Sequence, residues 1–179
     1  MLRSIIVSYL VFLGFSSQAQ DVYLSPLKKI NAGEKEISSI SFSSDAKWIA
    51  IADKKGEVSV RSFHDDERLT KLSTGDEIIL HDFIDQNKKF IVLDNSGKLT
   101  TYYTGSKETQ TTQFTKGIKT ACLDPNSHYL TFLTKDNNIE IQDLKANMTL
   151  GRIQKIEGLS SALFIGYDRF GQQLAAINK

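Results

Sequence analysis

A single cysteine, Cys122, occurs in the 179 residues, so no internal disulfide can form. The three histidines, His64, His81 and His128, fall in no H-x-x-x-H or H-E-x-x-H spacing, and no zinc site is expected. Nucleophile-elbow, P-loop and dinucleotide fingerprints are also missing, so neither a catalytic centre nor a cofactor is expected within these residues. Charge of one sign is lacking too. Lys and Arg number 22 against 21 Asp and Glu. The pairs Lys28-Lys29, Lys54-Lys55 and Lys88-Lys89 are interleaved with acids, so no basic stripe marks a nucleic-acid binder.

Long apolar runs are absent as well. The longest, Ile5–Phe15, falls short of the roughly 20 residues a bilayer core requires. With Arg3 before it and Ser17-Gln18-Ala19 after it, this run predicts a secretory signal peptide over residues 1–19, cleaved after Ala19. No cysteine stands directly after the apolar run, so lipoprotein processing is not indicated. The expectation is an exported chain, periplasmic or secreted, with no membrane span and, once Arg3 is removed, no net formal charge.

What the chain does contain is a repeat. Phe42 aligns with Phe83, Asp53 with Asp94 and Gly56 with Gly97, a period of 41. Phe83 aligns with Leu123, Phe90 with Leu130 and Gly97 with Asn137, a period of 40. Each copy reads as apolar strand, polar turn, apolar strand, tight turn and alternating strand. Trp48–Ala52, Phe90–Leu93 and Tyr129–Leu133 are short β-branched and aromatic runs, which suit strands covered on both faces. The turns Asp53–Gly56, Asp94–Gly97 and Lys135–Asn138 follow. Gly supplies positive φ in the first two, and Asn137 takes that place in the third. Glu57–Arg61 and Ile139–Gln142 then alternate strictly, as half-covered strands do. Weaker fourth strands are expected at Arg68–Leu72, Thr109–Phe114 and Met148–Ile153.

Four strands in about 40 residues is the blade unit of the Trp-Asp (WD) repeat β-propellers, and the chain from Ile37 onward resembles that family. The likeness is clearest at Leu123-Asp124-Pro125, Tyr129-Leu130 and Ile139–Asp143, with Gln142 where Trp usually stands. Neither a Trp-Asp nor a Gly-His dipeptide occurs. The expected fold is therefore all-β: a β-propeller of four-stranded antiparallel blades over residues 37–72, 77–114 and 118–153, with part of a fourth over 159–179. In that fourth unit Ser161–Ile165 and Gln173–Ile177 are the expected strands. Residues 20–36 read as a linker in which Val22-Tyr23-Leu24 either closes the last blade or serves as a tether.

An incomplete ring leaves unpaired edges, which repeat arrays normally protect. The first reading is an N-terminal part of a longer protein that supplies the missing blades. The others are closure of blade four by Val22–Ile30 or closure by a second chain.

By the resemblance, the turns after the second strands gather on one face, where peptides and proteins dock. That face carries Asp53, Lys54 and Lys55; Asp94, Asn95 and Ser96; and Lys135, Asp136 and Asn137, flanked by Ser73–Asp76 and Thr115–Gly117. Asp, Asn and Gly are also what tight turns demand, so Lys54, Lys55 and Lys135 are the residues least explained by turn geometry. Cys122 reads as a small buried residue, with a nucleophile or an intermolecular disulfide as the alternatives. His64 reads as solvated loop beside Asp65 and Asp66, His128 as a polar turn, and His81 as a core histidine or a functional one. Asn147-Met148-Thr149 matches a glycosylation sequon.

The functional expectation is a non-enzymatic interaction module that binds a protein or peptide. The alternative is an accessory propeller of an exported hydrolase whose catalytic domain lies beyond Lys179. A glycan-binding propeller would rely on Tyr167 and Phe170.

Overall fold

The computed structural model describes residues 36–65, 67–146, 148–153 and 162–178, all within the unit Asn31–Lys179. The expected signal peptide, the Val22–Leu24 strand and Asn147 of the sequon lie outside the described residues. Sheet one is β1 (Ile37–Phe42), β2 (Trp48–Asp53), β3 (Glu57–Ser62) and β4 (Arg68–Ser73). Sheet two is β5 (Ile78–Ile84), β6 (Lys89–Asp94), β7 (Lys98–Tyr103) and β8 (Thr109–Gln113). Sheet three is β9 (Ile118–Leu123), β10 (Tyr129–Thr134), β11 (Ile139–Asp143) and β12 (Met148–Ile153), and sheet four is β13 (Ala162–Tyr167) with β14 (Leu174–Asn178). Each sheet is an antiparallel meander in sequence order, and none closes into a barrel. The fold is all-β and propeller-like, as the spacing predicts.

The apolar runs are the second strands, and those of sheets two and three are covered on both faces because each of these sheets stands between two others. Along β6, Phe90 and Val92 pack with Ala50, Ala52, Val58 and Val60 of sheet one. Their neighbours Ile91 and Leu93 pack with Ile118, Ala121, Leu130 and Phe132 of sheet three. Small residues on sheet one meet large ones on sheet two, where the Phe83 and Phe90 rings lie 4.8 Å apart. A third cluster joins Cys122, Leu133 and Ile139 to Ala162 and Ile165 of sheet four. Single blades have no core of their own; the core is the set of seams between them.

The first strands lie side by side, β5 against β1 and β9, and β13 against β9. Each carries a bulge one residue into the strand, at Ser38, Ile79, Lys119 and Leu163. An extra residue there strengthens the local twist, and its recurrence marks the four sheets as copies of one unit.

One sequence expectation is corrected. β11 alternates in sequence, yet Glu140 and Gln142 are 2% and 3% exposed, while Ile141 is only partly covered. The polar face is buried because its partners come with it. Glu140 pairs with Arg152 of β12 and accepts the Thr115 hydroxyl at 2.9 and 3.0 Å. The Gln142 amide exchanges hydrogen bonds with the Thr149 hydroxyl at 2.8 and 3.0 Å.

Candidate functional site

Three turns singled out in sequence form a row along one end of the array. The carbonyl just ahead of each first strand ties down the turn after the second: Glu36 to the Lys54 N–H, Glu77 to Asn95 and Gly117 to Lys135. The Asn95 carbonyl in turn accepts the N–H groups of Gly117 and Ile118, joining the turn of sheet two to sheet three. The flanking segments are brought in as well. Thr74 donates to the Gly56 carbonyl, and a side chain at Gly97 would collide with the Thr115 carbonyl.

Within the row the acids and the lysines differ. Asp53 and Asp94 are buried, and each uses Oδ1 to accept the turn's own amides: Lys55 and Glu57 in one case, Lys98 in the other. Ser96 donates to Asp94 as well, and Asn137, at φ 62°, accepts the Lys119 ammonium at 2.8 Å. These side chains build the turns. Lys54, Lys55, Lys135 and Asp136 are exposed, Lys54 in an ion pair with Glu36.

At the opposite end lie the turns from first to second strand, a set the sequence reading did not single out. Ser44 of sheet one bonds Asn87 of sheet two through its amide and hydroxyl, and Gly171 of sheet four sits against Pro125 of sheet three. In three sheets the turn is closed by a side-chain oxygen at its first position. Ser43 accepts the Trp48 amide, Asp124 those of His128 and Tyr129, and Asp168 those of Gln172 and Gln173. In sheet two Ile84 occupies that position and cannot accept. There Asp85, Gln86 and Asn87 all adopt positive φ, at 53°, 54° and 65°. A cavity of about 450 Å³ opens beside this turn, between it and the turns around Pro125 and Leu144. The one signal for it in the sequence is Ile84, an apolar residue where the other copies carry an oxygen.

His81 proves to be a satisfied core histidine. Its Nε2 lies 2.7 Å from Ser39 Oγ and its Nδ1 2.9 Å from Ser41 Oγ, so one ring bridges β1 and β5. Burial holds its pKa down to about 4. So weak a base is badly matched to deprotonating a serine near neutral pH, and the trio acts as a bracket between sheets. Burial raises the Asp82 carboxyl, whose Oδ1 accepts the Phe83 amide. Cys122 is buried, its thiol pushed up to about 11 mainly by burial, which leaves it unreactive. His64 and His128 are exposed, and among the described residues no three His, Cys, Asp or Glu side chains converge on a point.

No protein-family model matches the chain, and no curated protein is similar to it. Geometry alone therefore carries the functional argument. It offers a rigid array with a row of partly cationic turns at one end and a cavity at the other.

Proposed function

We propose that the chain is an exported interaction module of the Trp-Asp repeat propeller type, holding a protein or peptide partner against the row of second-to-third-strand turns. The observation that supports this is the division of labour in that row. Asp53, Asp94 and Asn137 are spent on the turns, while Lys55 and Lys135 extend from turns whose backbone is bonded to the segments just ahead of or just after their own sheets. A backbone that is already fixed has little further freedom to lose on binding, which favours a recognition surface. The function is binding rather than catalysis.

A photoreactive amino acid at Lys55 or Lys135, with Ser106 on the β7–β8 turn as control, tests this in cells that export the protein. Saturable adducts from the first two positions and none from the third are expected. No adduct, or equal adducts at all three, overturns the reading. Export is tested on the same material: the recovered chain should begin at Gln20, and recovery of an unprocessed chain starting at Met1 would remove that part.

A further inference from the structure

The cavity at the other end has a chemical character of its own. Its volume, about 450 Å³, lies within the range of small-molecule sites. Phe83, Ile84, Pro125 and Leu144 supply apolar wall, Phe83 and Ile84 being already buried in the seams between sheets. The remaining lining adds backbone donors to the side-chain donors and acceptors of Gln86, Asn126 and Ser127. In the sheet-two turn three carbonyls are taken: Asp85 O accepts the Lys88 amide, and the Thr104 hydroxyl reaches the carbonyls of Asn87 and Lys88 at 3.1 Å. The amide N–H groups of Asp85, Gln86 and Asn87 have no partner among the described residues.

The charges point the same way. Asp85 is the one acid in the lining, and Lys89, 3.3 Å away, neutralises it. Lys145 is exposed at the rim and forms no ion pair among the described residues, and the Asp143 carboxylate, which accepts the Lys145 amide, feels the charge of both Lys145 and His128. Three amide donors and a cation next to apolar wall match an acceptor-only group attached to an apolar one. We propose that this cavity binds a small carboxylate carrying one compact apolar group, whether the last residue of a peptide or a free branched-chain acid. The site is separate from the turn row at the opposite end, and neither proposal needs the other.

The test is a ¹⁵N-resolved titration of the processed protein with three probes: N-acetyl-glycyl-leucine, its C-terminal amide, and 4-methylpentanoate. At least one free acid should give saturable shifts at Asp85, Gln86 and Asn87, and the amide should bind roughly 10-fold more weakly for loss of a charge-assisted contact. Lys145→Ala should weaken the acid several-fold and leave the amide unchanged. Binding of the peptide acid alone identifies a peptide terminus as the source, and binding of both acids a general carboxylate site; either supports the proposal. Shifts that do not saturate at about 10 mM, ten times a millimolar Kd, or equal affinity for acid and amide, overturn it.

Discussion

His81 on β5 stands 2.7 Å from Ser39 on β1, an imidazole buried between two sheets with a hydroxyl on each nitrogen once Ser41 is included. The neutral ring satisfies both contacts, and burial opposes its protonation.

This relationship sets a pH dependence. The folded pKa is about 4 against an ordinary 6.5, so between these values the unfolded chain binds a proton that the folded one does not. Stability from this group is therefore complete above pH 6.5, falls as pH drops towards 4, and is level below it. The full effect is at most about 3 kcal/mol. Asp82, raised by burial, works in the opposite sense above its ordinary value of 3.8, and so blunts the loss at the acid end of the window. Urea midpoints measured from pH 7 to 4 should fall for the wild type and fall less for His81→Gln. Parallel curves would show that His81 is not the group responsible.

The seams between sheets should dominate stability. Phe90 is fully buried and touches sheet one, whereas Phe42 is 54% exposed on β1. Phe90→Ala should cost about 3–5 kcal/mol by denaturant unfolding, and Phe42→Ala less than about 1 kcal/mol. Similar losses at both positions would contradict the packing described.

Gly97 and Asn137 occupy equivalent turns but differ in what surrounds them. Gly97 has φ +84° with the Thr115 carbonyl in the space of a Cβ, so Gly97→Ala should destabilise by about 2 kcal/mol or more. Asn137→Gly keeps the left-handed backbone at φ 62° and loses the bond from Lys119, a change expected within about 1 kcal/mol. Thermal melts of the two variants give the comparison directly.

For the buried pair on sheet three, direction matters. Arg152→Ala leaves the Glu140 carboxylate buried with only Thr115 as partner among the described residues, and should cost about 3 kcal/mol. Glu140→Gln leaves the cation on Arg152, which is 45% exposed and free to hydrate, so its cost should be smaller. Glu140→Leu combined with Arg152→Leu should recover part of the loss from Arg152→Ala, read as a double-variant cycle in urea.

Strand identity was legible where the signal is local. The runs Trp48–Ala52 and Tyr129–Leu133, and the left-handed Asn137, followed from β-propensity and turn sterics, and the structure places them as those rules require. The alternation in β11 misled, because periodicity counts polar residues as exposed and takes no account of an Arg152 on the next strand that allows Glu140 to be buried. The cavity was hidden for a related reason. Ile84 is an ordinary apolar residue in its own strand, and its consequence arises only where its turn meets the turns of sheets one and three.

By itself, then, the order of residues determined the four repeats, the strands within them and the positive φ in the turns after the second strands, since each of these is settled by contacts within a few residues or across one hairpin. Only the tertiary structure decided which polar groups are buried, which histidine bridges two strands, and where donors are left without acceptors. Those outcomes depend on side chains meeting across neighbouring strands, as Glu140 does with Arg152, or across a seam between sheets, as His81 does with Ser39, 42 positions away, and no local rule of spacing carries that information.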